Sequence, residues 1–214
     1  MKQTLKKMIK SLPIYQPVAD WRTKHKQLKE LHNWGKKGKS LPLPHMLKQE
    51  ILRGYIEKYD LKIMVETGTY FGDMVEALRK SLSRVYSIEL SEYFASEAQR
   101  RFKSTDNVVI LHGDSGKEIE KVLKQITLPT LFWLDGHYSA GLTAKGESET
   151  PIFEELTHIF KAPDLRHVIL IDDARAFGKI PDYPTLDQLN SFIQSKRSNL
   201  EIAVRDDIIR ITPV

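Results

Sequence analysis

The chain has 214 residues, of which 41% are hydrophobic and 29% charged, as expected for one globular domain with an appendage. The absence of cysteine excludes disulfide bonds and thiolate metal sites. No apolar run approaches the roughly 20 residues that a membrane-spanning helix needs, and the basic N-terminus lacks the apolar core of a signal peptide, so we expect a cytoplasmic protein.

The net charge of +5 is concentrated at the N-terminus. Residues 1–39 hold 11 Lys and Arg against Asp20 and Glu30, a net charge of +9, which leaves −4 for the remainder. The basic character therefore belongs to an arm and not to the body of the protein. Charge alone is a weak argument for a partner such as nucleic acid.

Residues 1–44 are predicted to be a basic arm in front of a domain that spans residues 45–214. Residues 1–12 place apolar side chains at helical spacing opposite four lysines. Such a helix docks on its own domain or on a second subunit of a homo-oligomer, or it contacts an anionic membrane surface or an acidic partner. Residues 13–44 are predicted to be irregular, with Trp21 and Trp34 packed down on the protein.

After a predicted helix over residues 45–59, strand and helix patterns alternate. The predicted strands cover residues 63–67, 84–89, 108–112, 130–135 and 167–172, and a hairpin is formed by residues 200–204 and 208–212. Helices are predicted after Gly72, from the cap candidate Ser91, after Asp114-Ser115, from Pro151 and over residues 185–194. This pattern predicts an α/β fold with a mainly parallel sheet, helices on both faces and one antiparallel edge strand.

The most informative stretch is residues 65–72, Val-Glu-Thr-Gly-Thr-Tyr-Phe-Gly, which follow an apolar run. A strand, a tight glycine turn and a helix N-terminus are predicted here, and α/β proteins bind nucleotide-like ligands at such a place. A carboxylate at the mouth of the turn, Glu66, would repel a pyrophosphate but suits a sulfonium or an amino group. The sequence therefore favours S-adenosylmethionine over NAD.

Acidic residues end or follow all five predicted parallel strands: Glu66, Glu89, Asp114, Asp135 and Asp172-Asp173. The carboxyl ends of these strands form the ligand-binding edge of an open sheet. Glu89 lies 21 positions after Gly68, a spacing that suits acceptance from both ribose hydroxyls, and its alternative role is that of an acid near a helix cap. Asp114 would accept from the adenine amino group or cap the next helix.

Three aspartates, Asp135, Asp172 and Asp173, are predicted to lie near one another at adjacent strand ends. Their mutual repulsion would be relieved by a cation, and oxygen ligands favour Mg²⁺, Mn²⁺ or Ca²⁺. Alternatively, one member of the Asp172-Asp173 pair holds substrate or backbone and the other faces solvent. His137 is a candidate general base, a further ligand or a structural histidine.

The polar loop over residues 136–150 is predicted to be a lid, in which Lys145 could contact an anionic group of the substrate. Arg175 is a second candidate for that contact.

Five segments carry a resemblance to a known family. They are residues 65–72 quoted above, 86–89 (Tyr-Ser-Ile-Glu), 113–115 (Gly-Asp-Ser), 133–138 (Trp-Leu-Asp-Gly-His-Tyr) and 171–173 (Ile-Asp-Asp). Over about residues 60–214 the chain resembles the class I S-adenosylmethionine-dependent methyltransferases, and within them the macrocin O-methyltransferase-like, metal-dependent sugar O-methyltransferases. The loop after Asp135 departs from that pattern and the basic arm has no match, so the resemblance does not name the acceptor.

The resemblance implies a Rossmann-like seven-stranded sheet of order 3-2-1-4-5-7-6 and methylation of a hydroxyl on a sugar or another small polyhydroxylated molecule. It implies that Asp135, Asp172 and Asp173 bind Mg²⁺ (or Mn²⁺), with Asp135 or its neighbour His137 as the base. The implied S-adenosylmethionine-binding residues are Glu66, Thr67, Gly68, Thr69, Gly72, Glu89, Leu90, Asp114, Ser115 and Asp135.

Three other functions stay open at this point. An NAD-dependent sugar oxidoreductase shares the glycine turn and the ribose acid, but the chain contains no Tyr-x-x-x-Lys. A nucleic-acid methyltransferase could use the basic arm, but the chain lacks an Asn/Asp-Pro-Pro-aromatic tetrad and the remainder is acidic, so nucleic acid is not the favoured partner. A non-catalytic adenosine-binding or partner-binding module would be expected to lack the aspartates at the strand ends.

Overall fold

The structure is a computed structural model and describes residues 15–136 and 150–214. The chain forms two compact units, residues 1–51 and residues 52–214. The first unit contains helix α1 (Tyr15–Lys36) and the start of helix α2 (His45–Lys58). No helix in the described part of the chain is both long enough and apolar enough to cross a membrane.

Helix α1 corrects the prediction of an irregular arm. Nine of its 22 residues are Lys, Gln, Glu or Leu, which favour helix, and its one proline and one glycine lie in the first turn and near the end. Trp21 is 66% exposed and stacks on His25 with ring centroids 5.6 Å apart, so the prediction that it packs down is wrong. Trp34 is partly buried, and its indole N–H donates to the Ser40 carbonyl at 2.6 Å.

The second unit is built on a seven-stranded sheet. Its strands are β1 (Ile63–Thr67), β2 (Arg84–Glu89), β3 (Val108–His112), β4 (Thr130–Leu134), β5 (Val168–Ile171), β6 (Leu200–Arg205) and β7 (Ile208–Pro213). The strand order is β3-β2-β1-β4-β5-β7-β6, and β7 runs antiparallel to both of its neighbours while β1 to β5 are parallel. The predicted α/β Rossmann-like fold and its strand order are confirmed, and predicted strands 4 and 5 end slightly earlier than expected.

Among the described residues, a helix follows each of the strands β1 to β5: α3 (Asp73–Leu78), α4 (Glu92–Arg101), α5 (Ser115–Leu123), α6 (Ile152–Lys161) and α7 (Leu186–Lys196). Because side chains alternate along a strand, Val65 and Phe132 face one side of the sheet, where they join a buried cluster with α5, α6 and α7. Met64 and Leu131 are buried on the other side. Ser91 occupies the predicted cap position of α4, but its side chain makes no capping hydrogen bond. This arrangement leaves the carboxyl edge of the parallel strands to carry the site.

Candidate active site

The glycine turn after β1 is held against the end of β4. Gly68 has φ +85°, and its N–H donates to the Ile88 carbonyl at 2.9 Å. A Cβ built on Gly68 would lie only 2.5 Å from the carbonyl oxygen of Asp135, a backbone atom that cannot move aside cheaply. Only glycine fits this position, both for its left-handed backbone and for the close approach of the two chain segments.

Thr67 fastens the same two segments together from the side of β1. It is fully buried; its carbonyl accepts from the Asp135 N–H at 3.2 Å, and its hydroxyl accepts from the Gly136 N–H at 3.2 Å. Asp135, one of the predicted acceptor-side residues, is therefore brought to the predicted cofactor turn. Asp135 is predicted in both the cofactor-binding and the acceptor-side set, and its backbone lies against the cofactor turn.

Glu89, at the end of β2, binds the backbone of the turn. One carboxylate oxygen accepts from the Tyr70 N–H at 2.7 Å and the other from the Ser91 N–H at 2.9 Å. Tyr70 itself adopts a left-handed backbone with φ +50°. Each carboxylate oxygen keeps further lone pairs for a hydroxyl donor, so contact with a ribose stays a prediction that this geometry permits.

Glu66 is buried below the turn, with 2% of its surface exposed. The Ser87 hydroxyl donates to its carboxylate, and the hydroxyls of Ser87 and Thr69 lie 2.6 Å apart. Burial raises the pKa of Glu66 to about 8; the hydrogen bond from Ser87 opposes this shift, and the charges of Asp135 and Glu89 add to it. A cation placed beside this carboxyl group would restore its charge.

The remaining turn residues shape the backbone. The Gly72 N–H donates to the Thr69 carbonyl at 2.8 Å, and Gly72 precedes α3 with φ +76°. A Cβ there would lie 2.6 Å from the Phe102 ring. Leu90 follows Glu89, and its carbonyl lies 3.2 Å from a ring nitrogen of His112. These two residues act through their main chain.

Asp114 caps helix α5. Its carboxylate accepts from the Gly116 N–H at 3.0 Å, which is the alternative role expected from the sequence. The predicted contact of Asp114 with an adenine amino group would use the other carboxylate oxygen, and it stays a prediction. Ser115 is buried beside Asp114, and its hydroxyl lies near the Glu155 carboxyl group.

At the end of β5, Asp172 is buried and its N–H donates to the Leu134 carbonyl at 3.1 Å. Asp173 adopts a left-handed backbone with φ +55° and accepts from Arg175 at 2.6 Å. Arg175 also donates to Asp207, an almost fully buried acid in the turn between β6 and β7. Arg175, a predicted contact for an anionic substrate, is thus engaged by two carboxylates of its own chain.

The predicted metal ligands do not form a metal site by themselves. Within residues 15–136 and 150–214, no group of three or more His, Asp or Glu side chains is placed to hold a metal ion. Asp173 already faces a guanidinium, which supplies the positive charge that a metal was expected to supply. The metal role of Asp135, Asp172 and Asp173 stays a prediction. His137, Lys145 and the rest of the predicted lid (residues 137–149) lie outside the described residues.

Three residues that contact the site were not singled out from the sequence: Ser87, Glu155 and Asp207. Ser87 is a polar residue inside a buried strand, directly opposite Glu66 in the register of β1 and β2. Glu155 is an acid on the apolar face of α6, whose buried positions also include Ile152 and Ile159. A search of the sequence for polar residues at positions that the apolar periodicity predicts to be buried would have found Ser87 and Glu155.

Comparison with known proteins defines the fold. No protein-family model matches the chain, and no curated protein matches it. Among solved structures, the O-methyltransferase TomG from Streptomyces achromogenes, involved in tomaymycin synthesis and in complex with S-adenosylmethionine, matches with 18% identity, 88% of each chain covered and a TM-score of 0.57. An O-methyltransferase from Bacillus cereus in complex with S-adenosylhomocysteine matches with 15% identity, 87% of this chain and 90% of that chain covered, and a TM-score of 0.57.

A candidate rRNA methylase from Clostridium thermocellum also matches, with 13% identity, 81% of this chain and 100% of that chain covered, and a TM-score of 0.56. At these identities the likeness establishes a fold, the class I S-adenosylmethionine-dependent methyltransferase fold, and nothing finer. The macrocin O-methyltransferase-like branch is not confirmed. Because an O-methyltransferase and a candidate rRNA methylase share this fold, the fold does not identify the acceptor.

Proposed function

We propose that this chain is an S-adenosylmethionine-dependent O-methyltransferase that acts on a hydroxyl of a sugar, a glycoside or another small polyhydroxylated molecule. One observation carries the proposal: the glycine turn between the buried acids Glu66 and Glu89 is held directly against Asp135. A donor site and an acceptor-side carboxylate are thereby adjacent.

The donor set fits S-adenosylmethionine better than a dinucleotide. Glu66 is a buried carboxyl group whose charged form a cationic ligand would stabilise, and Gly68 lets the main chain approach closely. Glu89 would accept from the ribose hydroxyls while it continues to hold the turn. A pyrophosphate would instead face Glu66, Glu89 and Asp135, and this repulsion argues against the NAD-dependent alternative.

When bound, S-adenosylmethionine supplies a methyl group activated by a positively charged sulfur. The protein would contribute position and proton removal. Thr67 would fix the backbone on which Asp135 lies, and Asp135 would take the proton of the acceptor hydroxyl, with His137 as the second candidate base. Mg²⁺ or Mn²⁺ assistance through Asp135, Asp172 and Asp173 is retained as a separate prediction, and no step above depends on it.

A nucleic-acid methyltransferase remains the second candidate function, because helix α1 carries five Lys and Arg against two acids. The site gives it no specific support. A direct assay separates the two: transfer of labelled methyl from S-adenosylmethionine to a panel of sugars, glycosides and other hydroxylated molecules, with structured RNA and DNA as the competing acceptors.

We expect transfer to a hydroxylated small molecule, and loss of about 10²–10⁴ in rate for Asp135→Ala. Asp187→Ala, which changes an exposed acid at the start of α7, is the control and should leave the rate unchanged. Transfer to RNA alone would favour the second candidate. Loss of activity with a chelator, restored by Mg²⁺, would support the metal prediction, and full activity with the chelator would end it.

A further inference from the structure

Helix α6 places a carboxyl group inside the core next to the candidate site. Glu155 is 1% exposed and lies on the apolar face that also buries Ile152 and Leu156. Its Oε1 atom is buried and has no hydrogen-bonding partner among the described residues. Burying a carboxylate at such a position costs free energy, because the neighbouring side chains offer few hydrogen bonds to its charged form.

This carboxyl group faces three segments of the site. The Ser115 and Thr67 hydroxyls lie near it, at the start of α5 and the end of β1. A Cβ built on Gly136 would lie 3.4 Å from the Glu155 Oε1 atom and 2.9 Å from the Thr67 hydroxyl oxygen. Thr67 therefore contacts the backbone after Asp135, and the Glu155 carboxyl group lies beside both.

The hydrogen bond from the Gly136 N–H restricts where the Thr67 hydroxyl proton can point. The Thr67 hydroxyl accepts from the Gly136 N–H at 3.2 Å, so a lone pair of this hydroxyl must point at Gly136 and its proton must point elsewhere. An ionised Glu155 is an acceptor for that proton. A protonated Glu155 is a weaker acceptor for that proton and can itself donate to the Thr67 oxygen, so it no longer fixes the orientation of the hydroxyl.

We infer that Glu155 is a positioning residue, whose charged form orients the Thr67 hydroxyl and thereby holds the Asp135–Gly136 peptide against the cofactor turn. The consequence for catalysis rests on the proposed function, because it assumes that Asp135 serves the acceptor. The contact between Glu155, Thr67 and Gly136 does not rest on that assumption and can be tested without any substrate.

The groups around Glu155 make its charge, and therefore the orientation of the Thr67 hydroxyl, sensitive to pH. Burial raises the pKa of Glu155 to about 7, the nearby Ser115 and Thr67 hydroxyls oppose the shift, and the charges of Asp114 and Glu154 add to it. Asp114 faces Glu155 from the start of α5 and Glu154 lies beside it on α6, while β1 contributes the uncharged hydroxyl of Thr67. Ionisation of Glu155 should therefore change near neutral pH.

The Gly136 amide can be observed alone. Asp135–Gly136 is the one Asp-Gly pair in the sequence, so a full-length protein labelled with ¹³C-carbonyl aspartate and ¹⁵N-glycine gives a single amide peak that correlates the two residues. We expect this peak to shift in a step centred near pH 7 in the wild type. The step should be lost in Glu155→Gln, which keeps the size of the side chain and removes its charge, and in Thr67→Val, which removes the hydroxyl.

Glu154→Gln is the matched control on the same helix, because its side chain is exposed. The step should persist there and move to lower pH, since a neighbouring negative charge has been removed. A step that survives in Glu155→Gln, or the absence of a step in the wild type, would overturn the inference. Calorimetry of the same samples with S-adenosylhomocysteine keeps the two questions apart: failure to bind would count against the proposed function and would leave the step at Gly136 to decide the role of Glu155.

Discussion

The Ser87 hydroxyl donates a hydrogen bond to the Glu66 carboxylate, across the paired strands β1 and β2. This is a polar contact inside a sheet whose neighbouring positions are buried. It provides one partner for an acid that would otherwise be isolated, but it does not cancel the effect of burial on the pKa of Glu66.

Glu66 should lower the stability of the free protein as pH rises. Its pKa is about 8 in the folded state and 4.5 in the reference state, so between these values the folded chain holds a proton that the unfolded chain has released. Relative to wild type, Glu66→Gln should therefore gain stability from pH 5 to pH 9, by about 1.4 kcal/mol per unit of pKa difference.

Urea unfolding of both proteins at three pH values measures this difference. Glu57→Gln, which changes an exposed carboxyl group on α2, should show no such trend. A stability difference between Glu66→Gln and wild type that grows toward acid pH instead would contradict the assignment of a raised pKa.

Gly68→Ala should destabilise the fold and prevent cofactor binding. The added Cβ would meet the Asp135 carbonyl oxygen at 2.5 Å, and the φ of +85° is unfavourable for alanine, so we expect a cost of about 2–4 kcal/mol. Gly54→Ala is the control: no atom lies within 4 Å of its Cβ, its backbone is helical, and stability should rise by up to about 1 kcal/mol. Equal effects of the two substitutions in thermal unfolding would refute the close approach at Gly68.

Glu89→Ala should loosen the glycine turn and weaken S-adenosylhomocysteine binding at least tenfold. Two backbone N–H groups lose a charged acceptor, each worth about 1.5–3 kcal/mol, and the ribose loses its predicted partner. Glu92→Ala, three residues later and exposed, should bind like wild type. Titration calorimetry measures both variants, and unchanged affinity for Glu89→Ala would remove Glu89 from the site.

Arg175→Met should leave Asp207 as an uncompensated buried charge. We expect a loss of about 2–3 kcal/mol, below the range for a fully buried pair because Arg175 is 37% exposed. Adding Asp207→Asn should recover part of the loss. Arg205→Met breaks a pair at a residue that is 77% exposed and should change stability by less than about 0.5 kcal/mol. Additive effects of Arg175→Met and Asp207→Asn in denaturant unfolding would show that the two residues do not interact.

The sheet could be predicted almost to the residue because parallel buried strands appear as short apolar runs that end in acids. Helix α1 could not, because its residues are mostly exposed and polar and show no apolar face, so only their helix propensity indicated a helix. For the site, the acids at the strand ends were predictable from position alone. Their partners were not: Ser87 reaches Glu66 through strand register, and Arg175 reaches Asp207 through the return of a distant hairpin. Such contacts depend on tertiary packing rather than local pattern.

The most direct test of the central claim is calorimetric titration of the purified protein with S-adenosylmethionine and, separately, with NAD. We predict binding of S-adenosylmethionine that is lost in Gly68→Ala. In wild type, at a pH below about 8, this binding should release a proton, seen as a heat that depends on the ionisation enthalpy of the buffer, because the cation makes Glu66 ionise. Glu66→Gln should abolish that release. Binding of NAD without binding of S-adenosylmethionine would contradict the account.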